Sequence, residues 1–570
     1  MKLLFLLSII VFSSCDEVKT SGRKFINVAL STNVPTLDPA ISYDTVSAEV
    51  IYQIHETLYE YDYLIRPYHL KPLLAVDMPM VENGGLKYTF KIKKNIKFHK
   101  SSVLDKNRTL KAQDFINQIK RLAFKPTKSN GWWLFDDKII GLNNFRKKSG
   151  NDLNKFFALN VEGLKALDDH TLVIELTKPY PQILFAFAMS FTTPVAEEVI
   201  RATNNDLSQG SIGTGPFFLK KWNKNLNITL NRFPNYHPST YPNKGDRTSY
   251  ENNLLADKGK KIPFIQGIKF NIIKEAQTRW LNFLTEKLDF IVLTKDHFPI
   301  VLNQEGVLKK EFLAKGMKLQ VEPTLTYWWL AFNMKDKVVG KNYKLRSAIA
   351  HAVDINKYIK IFSNNISLKA NSIYPPGIPG YDPSRKTPYS YNPQKAKKLL
   401  AEAGYPKGKG LPELQYDVRG NSLVSKQMAE FIKIELEKVD IKVRININSF
   451  PGFLTKARTG QLQFWQGGWA MDYPDAENTL QLLLSKNHSP GPNSTYFSNK
   501  KVDALFEDYN AASSDQAKSQ ILKSIEDIVH KNLPWIMQYY SRNYILSHDT
   551  IKNFRQSDLI YNNYKYLKLE

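Results

Sequence analysis

The chain has 570 residues, of which 42% are hydrophobic and 12% aromatic, and it contains a single cysteine. One hydrophobic core does not suffice at this length, so a globular protein of two or three lobes is predicted. The formal net charge of +25 would suit an acidic partner, but the 79 lysines and arginines are spread along the chain without a zinc-finger or RRM-type motif. We interpret the charge as a solvated basic surface and expect no nucleic-acid partner.

The N-terminus has the pattern of an export signal. Lys2 precedes an apolar stretch from Leu3 to Phe12, and the small residues Ser13 and Ser14 follow it. A stretch of this length is about half of what a membrane-spanning helix needs. We therefore predict a signal peptide over 1–14 rather than an anchor helix.

Cys15, the only cysteine, directly follows these small residues. The segment "VFSSC" resembles a bacterial lipobox, whose cysteine becomes the lipid-modified N-terminus, although Phe12 stands where leucine is usual. We predict lipidation at Cys15 and a flexible tether over 15–24. The alternative is an incidental cysteine in a simple secretory signal. Asp16 resembles the signal for retention at the inner membrane.

Strand and helix patterns alternate along the first half of the chain. They predict a strand at 25–30, a helix at 45–62, a strand pair at 87–99, a helix at 111–124, a strand, turn and helix within 170–189, and a hairpin within 213–237. The polar residues 238–261 are predicted to form a surface excursion.

The second half continues the alternation and is divided by a proline-rich loop at 373–383. Its predicted strands lie at 265–273, 327–334, 411–418 and 441–449. Its predicted helices lie at 276–289, 342–362, 392–405 and 427–439. This order of strands and helices predicts an α/β protein with at least two lobes.

Common catalytic and metal motifs are absent from the sequence. There is no H-E-x-x-H, no G-x-S-x-G and no phosphate-binding G-x-x-x-x-G-K-[ST], and "GSIGTG" at 210–215 fits a turn better than a nucleotide site. The ten histidines form no pair at helical spacing, so we expect neither a metal site nor a cofactor.

The stretch "WQGGWAMDYPDAEN" at 465–478 combines tryptophans with three acidic residues. It has three interpretations: an acid/base pair, one charged anchor in an aromatic pocket, or a solvated turn. Asp472 and Asp475 lie on one loop around Pro474, which makes it awkward for them to face each other across a substrate. One buried aspartate needs a cationic partner, which a ligand ammonium can supply.

Several sequence blocks, taken in order, resemble the family 5 solute-binding proteins, the oligopeptide and dipeptide receptors of ABC importers. The blocks lie at 35–62, 213–237, 330–354, 375–383, 392–405, 467–478 and 494–509. "GGWAMDYPDAEN" is similar to the family's G-W-x-x-D-Y/N-x-D-P-x-N loop, with Ala476 in place of the usual proline.

The resemblance implies a two-lobed periplasmic binding protein fold, type II and cluster C-like, with an extra subdomain on the first lobe. The implied division is lobe I at 25–55, 190–265 and 536–570, the extra subdomain at 56–189, and lobe II at 266–535. Closure of the two lobes would bury a ligand between them.

The resemblance also implies the residues that bind the ligand. Asp472 matches the acid that holds a peptide α-amine, and no match is found for a basic residue that holds the carboxylate, so peptide length stays open. The backbone of Gly468, Trp469 and Ala470 matches the strand that pairs with the peptide. The facing segment of the first lobe is matched by Tyr43, Asp44 and Thr45. The aromatic pocket positions are matched by Phe450 and by Trp132 or Trp133.

The implied function is a non-enzymatic peptide receptor that serves an ABC permease, acts as a monomer and is lipid-anchored to the cytoplasmic membrane in a Gram-negative periplasm. Some relatives carry nickel chelates, haem or oligosaccharides, so a non-peptide ligand is an alternative. A secreted hydrolase with carboxylates in its cleft and a structural or adhesive lipoprotein are the other classes considered.

Overall fold

The computed structural model describes residues 24–570 except 209, 211, 295, 304, 490 and 513 and the side chain of Pro451. The predicted signal peptide and the predicted lipidation site at Cys15 lie outside the described residues. Within the described part of the chain, no helix has both the length and the apolar character that crossing a bilayer would require.

The strands of the described chain, in order, are β1 (Phe25–Leu30), β2 (Tyr59–Tyr61), β3 (Leu70–Pro72), β4 (Met80–Glu82), β5 (Lys87–Lys91), β6 (Leu164–Asp168), β7 (Thr171–Glu175), β8 (Phe217–Asn223), β9 (Asn227–Arg232), β10 (Gly267–Ile272), β11 (Phe290–Val292), β12 (Met317–Phe332), β13 (Leu368–Lys369), β14 (Leu414–Val418), β15 (Val443–Ile447), β16 (Phe464–Ala470), β17 (Trp535–His548), β18 (Ile551–Lys552) and β19 (Lys568–Leu569).

The α-helices of the same residues are α1 (Thr45–Ile54), α2 (Ala112–Ala123), α3 (Leu142–Ser149), α4 (Leu153–Ala158), α5 (Ile183–Ala186), α6 (Glu197–Ala202), α7 (Arg247–Glu251), α8 (Ala276–Leu284), α9 (Phe298–Val301), α10 (Lys310–Leu313), α11 (Tyr343–Ala352), α12 (Ile355–Ser363), α13 (Pro393–Glu402), α14 (Leu423–Glu437), α15 (Phe450–Arg458), α16 (Glu477–Leu480), α17 (Lys500–Ala511) and α18 (Asp515–Asn532).

The first lobe is built on a four-stranded sheet of order β1-β10-β9-β8. In β1 every second residue is buried, namely Ile26, Val28 and Leu30, so one face of the strand packs into the core, as the alternating sequence predicts. Asp44 begins α1 by accepting a hydrogen bond from the backbone N–H of Ser47 at 2.8 Å.

A separate antiparallel sheet of order β4-β5-β7-β6 lies between residues 80 and 175. It packs against α2, whose residues Phe115, Ile119 and Leu122 are almost fully buried. This sheet and its helices have their own hydrophobic core, which extends to Tyr566 near the C-terminus.

The second lobe is built on the largest sheet, of order β11-β17-β12-β16-β14-β15 with β13 added to β17. Its two longest strands, β12 and β17, are antiparallel over most of their length. The register shifts between Pro323 and Tyr327 and again between Trp328 and Trp329. The two ends of these strands lie in different cores: Ile545 of β17 packs with the first sheet, whereas Tyr327 of β12 and Met537 of β17 pack in the core beside β16.

The lobe boundaries at residues 265/266 and 535/536 stay predictions. β10 begins at Gly267 but pairs in parallel with β1, so the first sheet continues beyond the predicted boundary. Because β12 and β17 each contribute to two cores, we interpret these strands as the connection between the lobes. Sequence periodicity cannot mark such a junction, because a long strand keeps one pattern while it changes lobes.

Candidate ligand-binding site

The strand β16 leaves one edge unpaired where it enters the cleft. It pairs with β12 along its whole length, from Phe464 to Ala470. On the other side β14 pairs only with Phe464 and Trp465. From Gln466 onward, this second edge has no strand partner among the described residues, so its N–H and C=O groups can pair with an extended ligand.

Aromatic rings cover both faces of β16 at two consecutive glycines, Gly467 and Gly468. A Cβ atom on Gly467 would lie 2.5 Å from Nε1 of Trp329. One on Gly468 would lie 2.4 Å from the ring of Trp328 and 3.0 Å from Nη1 of Arg419. Because consecutive residues of a strand face opposite sides, any side chain here would displace a ring or the guanidinium.

A cavity of about 380 Å³ lies beside this free edge. Four tryptophans contribute to its wall, and no aspartate or glutamate does. The lining residues are Trp329, Arg419, Phe453, Leu454, Ala457, Arg458, Trp465, Gly467, Gly468, Trp469, Leu482, Gly491, Pro492, Ser494, Thr495 and Trp535.

Arg419 directly follows β14 and brings a half-buried cation to the cavity. Its guanidinium lies 5.0 Å from the ring centre of Trp328 and 5.3 Å from that of Phe450. Burial lowers the pKa of Arg419, yet a guanidinium stays charged in proteins. No carboxylate of the described chain lies within ion-pair distance of it, so this cation lacks a protein counter-ion.

Asp472 lies two residues after Ala470 and brings an anion to the C-terminal end of β16. Its Oδ1 accepts a hydrogen bond from the Tyr43 hydroxyl at 2.7 Å, and its Oδ2 accepts one from Nδ2 of Asn478 at 3.3 Å. Burial raises the pKa of the Asp472 carboxyl, and these two hydrogen bonds oppose that effect. In the described part of the chain, no lysine or arginine forms an ion pair with it.

Asn478 fixes the position of the Asp472 loop. Its side-chain oxygen accepts hydrogen bonds from Nε1 of Trp469 at 2.8 Å and from the backbone N–H of Asp472 at 3.1 Å. The side chain is fully buried. Asn478 closes the "D-x-x-D-x-x-N" part of the stretch, but the sequence alone does not indicate that its side chain holds the loop.

Asp475 is directed away from the cleft strand toward α17. Its Oδ1 accepts a hydrogen bond from the backbone N–H of Glu477 at 2.8 Å, and both carboxylate oxygens lie 3.2 Å from the hydroxyl of Tyr509. Burial raises the pKa of the Asp475 carboxyl. The protein itself therefore supplies its hydrogen-bond donors, which favours a structural role over that of an acid/base partner for Asp472.

The residues predicted on the first lobe differ in what they contact. Tyr43 is 54% exposed and reaches Asp472 across the cleft. Asp44 caps α1, and Thr45 is the exposed first residue of that helix. Of the three, only Tyr43 makes a direct contact with the acidic loop.

The predicted aromatic residues lie in two places. Phe450, at the start of α15, stands over Arg419 beside the cavity. Trp132 and Trp133 are half-buried on a 3₁₀ turn of the extra subdomain, with Trp132 4.7 Å from the guanidinium of Arg146. Neither of these tryptophans lines the cavity at β16, and their role in a ligand pocket stays a prediction.

Comparisons with known proteins agree with this architecture. A heme-binding protein A of Haemophilus influenzae is 24% identical over 502 residues, covering 86% of this chain and 83% of its own. A dipeptide-binding protein of Escherichia coli strain K12 is 25% identical over 482 residues, covering 83% and 79%.

Among solved structures, the ABC transporter-associated periplasmic binding protein DppA from Helicobacter pylori, in complex with the peptide STSA, superposes with a TM-score of 0.73. It is 22% identical, and the match covers 96% of this chain and 98% of that one. This likeness confirms the two-lobed α/β fold of type II periplasmic binding proteins.

The sequence pattern of the bacterial extracellular solute-binding proteins, family 5, matches residues 69–491, well over half of the chain and including both Arg419 and Asp472. The chain belongs to this family.

Proposed function

We propose that this protein is an extracytoplasmic receptor for short peptides that delivers them to the permease of an ABC importer. One observation carries the proposal: the free edge of β16 has the half-buried carboxylate of Asp472 beyond its end and the half-buried guanidinium of Arg419 against Gly468, and neither forms an ion pair among the described residues. A zwitterionic peptide supplies both missing partners, an ammonium for Asp472 and a carboxylate for Arg419.

The spacing of the two charges favours short peptides. Arg419 approaches Gly468, and Asp472 is four residues further along the chain. Four extended residues span at most roughly 14 Å. A peptide of two to four residues fits between these two charged groups. Its backbone pairs with the edge of β16 without regard to side-chain identity.

The relatives differ in the ligands that their names state, and the two charges distinguish between those ligands. A haem carries carboxylates that could meet Arg419, but it has no ammonium for Asp472. A dipeptide or a peptide such as STSA carries both groups. The carboxylate of Asp472 without a lysine or arginine beside it therefore favours a peptide over haem.

Titration calorimetry and X-ray scattering with trialanine, tetraalanine and haemin test the proposal. We expect the peptides to bind, to reduce the radius of gyration and to raise the melting temperature, because a ligand that binds only the folded protein stabilises it. Haemin binding in the absence of peptide binding would contradict the proposal and indicate a non-peptide ligand. A scattering mass equal to one chain would support the monomeric state that we propose.

We further propose that Cys15 carries a lipid that anchors the protein to the cytoplasmic membrane of a Gram-negative cell. Cys15→Ser should release the protein from membranes into the soluble periplasmic fraction. The wash should contain high salt, because a basic surface alone can bind anionic lipid at low ionic strength. A serine variant that stays in the membrane fraction after this wash would show that the anchor lies elsewhere.

Asp475→Ala is expected to lower stability rather than ligand affinity. The change removes the acceptor of the buried Tyr509 hydroxyl, and an unsatisfied buried polar group costs about 1–3 kcal/mol. Urea unfolding measures the loss. In a double-mutant cycle Tyr509→Phe should abolish most of it, and a large loss of peptide affinity in Asp475→Ala would contradict the structural role.

A further inference from the structure

The junction between the lobes contains an irregular segment in β12. Pro323 pairs with Arg542 and Tyr327 with Tyr540, which leaves Thr324, Leu325 and Thr326 opposite Ser541 alone. Such a bulge bends the strand and removes ladder hydrogen bonds. Its backbone groups must therefore find other partners.

A carboxylate from the C-terminal segment occupies this bulge. Oδ2 of Asp558 accepts a hydrogen bond from the backbone N–H of Leu325 at 3.1 Å, and Oδ1 accepts one from Nδ2 of Asn543 at 3.3 Å. The neighbouring Ser557 lies 3.1 Å from the hydroxyl of Tyr68, which belongs to the first lobe's extra subdomain. Asp558 thus connects β12 and β17 to the first lobe at the point where both strands change lobes.

The same bulge residue contacts the ligand loop. The carbonyl oxygen of Leu325 accepts a hydrogen bond from the backbone N–H of Met471 at 3.1 Å. Met471 immediately precedes Asp472, and Leu325 and Met471 are both buried. Two hydrogen bonds, one from the N–H and one to the C=O of Leu325, therefore link the Asp558 carboxylate to the loop that holds Asp472, the predicted amine-binding group.

We infer that Asp558 is a positioning residue for ligand binding: its carboxylate sets the hinge bulge at 324–326 and thereby the place of Asp472 in the closed cleft. This inference rests on the proposed function, since it assigns Asp558 a role in the binding of the same peptide. Asp558 acts through Leu325 and Met471 and does not itself contact the ligand.

The charge of Asp558 provides a way to test this role separately from packing. Burial raises the pKa of its carboxyl to about 6. The facing charged groups are Arg66, which lowers this pKa, and Glu322, which raises it, and the phenols of Tyr68 and Tyr561 also lie near it. A carboxylate accepts hydrogen bonds more strongly than a neutral acid, so the bulge is held more firmly above this pKa than below it.

The experiment compares the affinity of trialanine for wild type and Asp558→Asn at about pH 7.5 and about pH 5, in the full-length mature protein. The amide keeps the shape of the side chain but carries no charge and does not titrate in this range. We expect the variant to bind about tenfold more weakly at the higher pH and less than about threefold more weakly at the lower pH. Taking the ratio of the two proteins at each pH cancels the titration of Asp472, which both contain.

Asp549→Asn is a matched control, because Asp549 is an exposed aspartate of the same C-terminal region; it should change neither affinity nor its pH dependence. Asn543→Ser removes only the donor to Oδ1 and should weaken binding about two- to threefold, and it provides the test should Asp558→Asn not fold. Peptide binding that is equal in wild type, Asp558→Asn and Asn543→Ser, or a ratio that does not change with pH, would overturn the inference alone. Absence of peptide binding by wild type would overturn the proposed function as well.

Discussion

Asp472→Ala is expected to weaken the binding of a free-amine peptide by about a hundredfold or more. The carboxylate is half-buried and forms no ion pair with a lysine or arginine of the described chain, so a ligand ammonium enclosed with it in the cleft would be its cationic partner. Breaking a buried pair by removing one member costs about 3–5 kcal/mol, and each 1.4 kcal/mol corresponds to about tenfold in affinity. Titration calorimetry on both proteins measures the loss.

An N-acetylated peptide provides the control for the Asp472 experiment. It has no ammonium, so it should bind wild type poorly and lose little more in Asp472→Ala. Asp475→Ala is the matched acidic variant on the same loop, and its small change in affinity should be the same for both peptides. Equal losses for the free and the acetylated peptide in Asp472→Ala would show that Asp472 does not bind the amine.

The pH dependence of binding has a definite sign. Burial raises the pKa of Asp472 above its ordinary value of 3.8 in the folded protein without ligand. The folded state then binds the proton more tightly than the unfolded chain, so this group destabilises the fold as pH rises through the interval between the two pKa values. A ligand ammonium favours the charged form, and peptide affinity should therefore fall as pH decreases through the raised pKa.

The sequence predicts the local part of the site better than its long-range part. The short motif at 465–478 predicts a charged group beside tryptophans as one of three interpretations, and the resemblance to the family implies that Asp472 is this group; its role stays a prediction. Tyr43 was assigned from its own motif, but its hydrogen bond with a residue 429 positions away could not be derived from spacing. Periodicity predicts which face of an element is buried, and it does not reveal which distant element covers that face.

Arg419 and Asp558 show why the remaining residues were missed. Arg419 follows an ordinary buried strand, and its place in the cavity wall without a carboxylate partner among the described residues becomes visible only in the folded structure. Asp558 lies 233 residues from its partner Leu325 in the chain. The pairing of β10 with β1, the first strand of the described chain, is of the same long-range kind and could not be derived from spacing.

Arg419→Ala is expected to weaken the binding of a peptide with a free C-terminal carboxylate by about a hundredfold, since it removes the half-buried cation that would pair with that carboxylate inside the closed cleft. A C-terminally amidated peptide has no carboxylate to pair with Arg419, so it should bind wild type poorly and lose little more in the variant. Calorimetry with the free and amidated forms of trialanine measures the difference.

Two further variants separate charge from shape at this position. Arg419→Lys keeps the charge but not the planar group that stacks between Trp328 and Phe450, so it should restore only part of the affinity. Arg458→Gln removes an exposed arginine from the rim of the same cavity, and because water screens its charge we expect a loss of only a few-fold. If Arg458→Gln and Arg419→Ala lowered affinity equally, or if amidation of the peptide made no difference, the peptide carboxylate would bind elsewhere. The proposal that Asp472 and Arg419 bind the two charged ends of the peptide would then be wrong.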